Sequence, residues 1–356
     1  MPSNVFRSAR PRAGLLIALV FALLSAVGCG GSLDVIRINS SEKKPNNVWV
    51  FFTVENDEEP VGGLEAESFK IYEDGQLVSP FESKQVILNP DVAAVMYTML
   101  LLDMSGSVTE SGEVDSLADA AQMFSERVGQ SQKVGVYAFD GSEDITPIVQ
   151  FTEAQGSVEG GIERLRSYKA KDPSTNLHGA VVKGLEELRE ALAKDKRPLK
   201  FGTLVVFSDG TDRAARVTRE EMLEVLDKPE YEHYDLFAVG VGAEMNESDL
   251  GDVGREGTEM ATDRGKVQES FDRVAERIEA HMKRFYLLSY CTPARNGRHV
   301  VRIEANDPEE RSGSLEYEFD ANKFGPPPEC NPDRPPDFDL DNVDLPQENP
   351  EEGVTE

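Results

Sequence analysis

Between Val95 and Val108 the chain reads VMYTMLLLDMSGSV, an almost unbroken apolar run that stops at Asp103, Ser105 and Ser107. A run of this kind with polar residues directly after it predicts a strand buried on both faces, as in a parallel sheet covered by helices. In open α/β sheets, ligands gather beyond the carboxyl ends of the strands. An alternating Asp-x-Ser-x-Ser placed there sets three oxygen donors around one point, the donor type that hard divalent cations prefer.

The sequence after this run alternates helix and strand patterns. Val114, Leu117, Ala118, Ala121, Phe124 and Val128 keep helical spacing, and VGVYAF at 134–139 then reads as a strand. Leu177, Val181, Leu185, Leu188 and Leu192 form a second helical stripe, followed by strand-like TLVVF at 203–207 and DLFAVGV at 235–241. Val267, Phe271, Val274 and Ile278 mark a closing helix. The pattern predicts an α/β fold with a doubly wound, Rossmann-like, mainly parallel sheet over residues 91–283.

Three polar motifs fall at the ends of the apolar segments: DMSGS at 103–107, PSTNL at 173–177 and VVFSDGTD at 205–212. In this order they resemble a von Willebrand factor type A domain. The resemblance implies a metal-ion-dependent adhesion site built from Asp103, Ser105, Ser107, Thr175 and Asp209. The three hydroxyls would touch a magnesium, manganese or calcium ion directly, and the two aspartates would act largely through water. It further implies an acidic ligand, an Asp or Glu of a partner protein or a surface polymer. Ser174 departs from the family, which often has glycine there. A plainer reading makes Ser107 or Thr109 the cap of the helix starting near Glu113, and Thr175 the cap of the one starting near Leu177. The domain would then serve a structural or assembly protein that docks without metal.

Catalytic signatures are missing from the sequence. It has His178, His233, His281 and His299 but no HExxH, GxSxG or Walker pattern, and GVGAEM at 240–245 lacks the third dinucleotide-binding glycine. A binding module is expected rather than an enzyme, with His178 the one histidine near the metal motif. The net charge of −29 opposes nucleic-acid and anionic-lipid partners at long range.

The flanks predict export. Arg7, Arg10 and Arg12 precede an apolar stretch from Leu15 to Val27, too short for the ~20 residues of a membrane span and suited to a cleaved signal at 1–28. AVGC at 26–29 resembles a bacterial lipobox with Ala26 in place of the favoured leucine. That implies lipidation of Cys29 and, with Gly30 following, an outer-membrane location. An ordinary signal peptide cut near Gly28 exports the chain equally. Cys291 and Cys330 remain as an even pair in an oxidising compartment, expected to form a disulfide.

Residues 29–46 read as a tether. Strand patterns at 48–54 and 69–78, with a turn at Asp74-Gly75, define an N-terminal β segment over 47–90. Pro60 to Gly75 resembles the short β segment that precedes type A domains in exported bacterial proteins. Strand patterns recur at 284–290, 299–305 and 315–320, with NGR at 296–298 read as a hairpin turn. Residues 47–90 and 284–324 are therefore expected to build one small β-sandwich into which the α/β domain is inserted. Residues 325–356 read as a disordered acidic, proline-rich tail. Asp337, Asp339, Asp341 and Glu348 have calcium-loop spacing, but Asn342 replaces the turn glycine and Pro346 sits inside, which favours a solvated acidic tail.

Overall fold

The computed structural model describes residues 32–338, apart from 58, 111, 113, 198, 233, 242–246, 262–265, 323, 326–329 and 337. Cys29 and the acidic positions Asp337, Asp339, Asp341 and Glu348 lie outside the described residues.

The N-terminal part comprises β1 (Asp34–Lys43), β2 (Asn47–Asn56), β3 (Glu59–Pro60), β4 (Phe69–Glu73), β5 (Gln76–Leu77), the one-turn helix α1 (Pro80–Ser83) and β6 (Val86–Leu88). The alternating region begins with β7 (Ala94–Asp103), α2 (Gly106–Thr109), α3 (Val114–Val128), β8 (Lys133–Phe139) and β9 (Thr146–Thr152). It continues through α4 (Gln155–Ile162), α5 (Leu177–Ala193), β10 (Leu199–Ser208) and α6 (Arg219–Leu226). Next come β11 (Tyr234–Val241), α7 (Glu247–Val253), β12 (Gly257–Ala261) and α8 (Val267–Lys283). The chain returns through β13 (Phe285–Cys291), β14 (Arg298–Asn306) and β15 (Ser312–Asp320).

The central sheet has the order β12-β11-β10-β7-β8-β9, parallel throughout except for the β8–β9 pair. All ten residues of β7 are buried, because helices cover both faces. The two-residue period sorts its side chains between two cores. Leu100 and Leu102 pack with Ala121 and Phe124 of α3 and Phe271 and Val274 of α8. Met99 and Leu101 pack with Val181, Leu185 and Leu188 of α5 and Met222 of α6.

The flanking strands form two further sheets, β1-β2-β13-β6 with β3 paired to β2, and β15-β14-β4-β5. They face each other across a core of Val48, Val50, Phe52, Val54, Ile71, Leu288, Val301, Ile303 and Leu315. On the opposite face of β2, Trp49 and Phe51 meet Phe285, Leu287, Ala94, Met96, Leu199 and Phe201. The last four stand at the beginnings of β7 and β10. The sandwich therefore seals the amino ends of the central parallel strands and leaves their carboxyl ends open. Asp74 (φ 50°) and Gly75 (φ 77°) form the tight turn between β4 and β5, a conformation that aspartate and glycine accept most readily.

Three expectations need correction. Residues 34–43, read as tether, form β1, an antiparallel partner of β2 from Asp34↔Glu55 to Lys43↔Asn47. Its main-chain bonds to β2 hold it although its sequence, DVIRINSSEK, lacks a regular apolar alternation. NGR at 296–298 is not a hairpin turn, since β13 pairs with β2 and β6 whereas β14 pairs with β4 and β15. The turn carries the chain from one sheet to the other. Finally, described residues of the segment read as tail from 325 are seated on the sandwich, Phe338 among them. Cys330 is disulfide-bonded to Cys291, the Trp49 indole donates to Arg334 O at 2.9 Å, and Phe338 is buried against the Trp49 cluster.

Candidate functional site

The carboxyl ends of β7 and β10 deliver Asp103 and Ser208 side by side. Asp103 is fully buried. Its Oδ1 accepts from the Ser105 amide at 2.9 Å, and its Oδ2 accepts from the Ser208 hydroxyl at 2.6 Å. Burial pushes its pKa up to about 7, the hydrogen bonds from Ser208 and Ser105 offset part of that rise, and the charge of Asp209 adds to it.

Above this carboxylate the hydroxyls of Ser105 and Ser107 lie 3.1 Å apart, and Ser107 donates to Asp209 Oδ1 at 2.8 Å. Ser105 is fully buried and Ser107 is exposed, so the cluster runs from the interior to the surface. Thr175 is buried in the second loop. Its carbonyl accepts from the Arg213 and Ala214 amides at 3.0 and 2.9 Å, which ties the second loop to the third. A side chain at Gly210 would stand 3.7 Å from Thr175 Oγ1, so the third loop passes directly over that hydroxyl. The Gly106 amide donates to Pro173 O at 2.9 Å and joins the first loop to the second. A Cβ at Gly106 would lie 3.0 Å from Pro173 Cβ, which explains the glycine. All five residues singled out in the sequence are thus carried on three loops that hydrogen-bond to one another.

Two supporting residues were missed. Ser208 anchors Asp103, and its signal was a polar residue ending the apolar run before Asp209. Asp140, almost fully buried, organises the second loop from the end of β8: its Oδ1 accepts from the Ser142 amide at 2.8 Å and its Oδ2 from the Lys171 amide at 2.7 Å. Its carbonyl also accepts from the Asn176 amide. The break after VGVYAF was the available cue. Thr175 does not cap α5, whose N-cap is Asn176. His178 does not enter the cluster. Its backbone amide donates to Asp212 Oδ2 at 2.9 Å and its Nδ1 lies 3.2 Å from Val217 O, so it is a packed structural residue.

The chemistry of the donor set fits a hard divalent cation. The side chains of Asp103, Ser105, Ser107, Ser208 and Asp209 all offer oxygen, hydroxyls beside carboxylates, and Asp103 accepts from a backbone amide and a hydroxyl, both neutral. The adjoining cavity, lined by Val108, Phe207, Asp209 and Val241, measures about 20 Å³, room for about one water.

A second group, Asp235, Glu256 and His281, converges at the amino end of β11 with ligand-type atoms within 4.8 Å of one another. Arg284 already supplies positive charge there, with Nη2 3.8 Å from Asp235 and Nη1 3.0 Å from Glu55. That group braces the sandwich against the α/β domain.

Residues 98–211 match the family model of the von Willebrand factor type A domain. Among solved structures, the chain is similar to proximal thread matrix protein 1 of the mussel byssus with a zinc-occupied MIDAS motif. That pair is 15% identical with a TM-score of 0.42, covering 52% of this chain and 48% of the other. It is also similar to a von Willebrand factor type A protein from Catenulispora acidiphila, 9% identical with a TM-score of 0.43, over 82% and 73% of the two chains. A third is the manganese-loaded TRAP protein of Plasmodium vivax, 11% identical with a TM-score of 0.44, over 71% and 98%. The chain spans about half the length of the mussel protein. No curated protein matches it. The matched residues lie within the α/β region, from β7 to the loop after β10.

Proposed function

We propose that the protein is an exported, lipid-anchored component of a bacterial cell envelope, most simply of the outer membrane through Cys29. Its type A domain binds an acidic group of a partner protein or surface polymer through a divalent cation, magnesium being the first candidate. Ser105, Ser107 and Thr175 hold the cation with neutral hydroxyls, while Asp103 and Asp209 supply the charge around it. When bound, the ion offers a carboxylate oxygen a coordination position that few protein charges have already neutralised.

The observation that carries this reading is the placement of Asp103. A carboxyl wholly removed from water at the carboxyl end of β7, held by the Ser105 amide and the Ser208 hydroxyl, is costly to ionise without a cation nearby, and its raised pKa expresses that cost. The exposed Ser107 and half-buried Asp209 form a rim rather than a substrate-sized pocket among the described residues, which suits a macromolecular ligand better than catalysis.

Calorimetric titration of magnesium and manganese into chelator-treated protein tests the proposal. Saturable binding is expected in the wild type and lost in both Asp103→Ala and Thr175→Ala. Any weak uptake by the acidic C-terminal residues persists in the variants and is thereby subtracted. Equal heats from all three proteins would reject the metal reading and leave a domain that docks without metal.

A further inference from the structure

The β-sandwich contains a cavity of about 610 Å³ bounded by the β4–β5 hairpin, α1 and the residues that follow β13. It belongs to neither the metal cluster nor the central sheet. Among its well-buried lining residues are Glu73, 7% exposed, and Asn46, 2% exposed. Glu73 Oε1 and Asn46 Oδ1 are buried acceptors to which no protein group donates. A pair of buried acceptors without donors is costly, and a buried carboxylate more so.

Elsewhere on the wall Glu82 is exposed to solvent, and the other charged groups are already engaged. Asp74 holds His299 Nδ1 at 2.7 Å and accepts from the Val300 amide. Arg295 Nη1 donates to the carbonyls of Thr292 and Ala294, both at 2.7 Å. Lys84 Nζ reaches Cys330 O at 3.4 Å. What is left without a hydrogen bond is one carboxyl oxygen of Glu73 and the amide oxygen of Asn46, with the unpartnered Tyr290 hydroxyl beside Glu73. Burial raises the pKa of Glu73, while nearby Thr292 and Tyr290 favour its charged form without giving Oε1 a hydrogen bond. The remaining wall is largely apolar, with Leu77, Val78, Pro293 and Ala294. At its rim Leu77 is 58% exposed, and Phe81 of the adjoining α1 is 93% exposed. Exposure of large apolar side chains beside a polar cavity is how a partner-binding surface looks.

We propose that this cavity is a second recognition site, one that receives a lysine side chain of a partner protein. Its ammonium group would donate to Glu73 and Asn46, its methylene stem would lie along Leu77 and Val78, and neighbouring apolar residues would pack on Phe81. An ammonium has three donors and a positive charge, matching two acceptors of which one is a carboxylate. The chain's net charge of −29 draws basic partners to it at long range.

The test uses the full-length protein at about pH 8, with chelator present so that the metal site plays no part. Isothermal titration compares Nα-acetyl-lysine methylamide with its norleucine analogue, which keeps the stem and loses the ammonium. Saturable lysine binding is expected, about tenfold or more tighter than norleucine, and about tenfold or more weaker in Glu73→Gln. A peptide with apolar residues on both sides of the lysine is expected to bind more tightly than the amide, and Phe81→Ser is expected to remove that gain alone. Absence of saturable lysine binding, equal binding of lysine and norleucine, or unchanged affinity in Glu73→Gln would overturn the site. The lysine–norleucine comparison needs no variant and so stands even if Glu73→Gln folds poorly. A peptide no tighter than the amide would overturn the partner-protein assignment and leave the cavity to small amines.

Discussion

Phe51→Ala tests whether the sandwich and the α/β domain melt as one body. Phe51 is fully buried, with ring centroids 5.7 Å from Phe285 and 6.1 Å from Phe201, and those two rings are 4.6 Å apart. Phe201 belongs to the central sheet, whereas Phe51 and Phe285 belong to the sandwich, so the truncation opens a void between the two. Buried Phe→Ala substitutions cost about 3–5 kcal/mol, and about 2 °C of melting temperature follows each kcal/mol in a domain of this size, so a drop of about 6–10 °C is expected. Two probes report separately on the two parts. The single tryptophan, Trp49, is buried in the same cluster as Phe51, so its fluorescence follows that contact. Circular dichroism follows the helices, and apart from the one-turn α1 every described α-helix lies in the α/β region. Coincident transitions, shifted together by Phe51→Ala, are expected of one cooperative unit. A fluorescence transition that moves while the dichroism transition stays fixed would refute the reasoning and make the sandwich an independent module.

Gly106→Ala should loosen the proposed metal site while leaving the fold intact, because the added Cβ meets Pro173 Cβ at 3.0 Å and Pro173 O at 3.2 Å. Overpacking of this size costs about 1–3 kcal/mol, so magnesium affinity by calorimetry should fall about tenfold, and undiminished affinity would show that the junction of the first two loops does not set the site. Asp195 gives a pH signature remote from the site. Arg197 foremost, with Lys133, holds its carboxyl well below the usual carboxylate range. A depressed folded-state pKa contributes stability above the ordinary value of about 3.9, lost as pH falls through the folded value. Arg197 and Lys133 are 31% and 24% exposed, so Asp195→Asn should cost only about 1 kcal/mol at about pH 7 and less at about pH 3, read from urea midpoints. An equal cost at both pH values would show that charge is not what Asp195 contributes.

Much of this architecture was legible in the residues. The apolar run of β7 could be satisfied only by burial on both faces, and the 3.6-residue spacings of α3, α5 and α8 supplied the covering helices. Asp103, Ser105, Ser107, Thr175 and Asp209 each follow an apolar segment or precede a helical stripe, so their positions at strand ends and loops could be read before any contact was known. Periodicity records whether a side chain is buried, and that is a local property.

Pairing is not local, and it is there that tertiary structure decided the outcome. β1 has a polar sequence, yet it became a strand because the edge of β2 was available to its main chain, with Asn39 and Ser41 buried in the process. β13 and β14 look like the arms of a hairpin, but the apolar faces of β2 and β4 offered each a different sheet. Arg334 and Phe338 sit in a stretch whose composition predicts disorder and are held by Trp49 and its neighbours, nearly three hundred residues earlier in the chain. Ser208 and Asp140 show the same division at the site itself. The ligand-type residues carry a pattern along the chain, whereas the groups that orient them are chosen by which strand ends the sheet brings together.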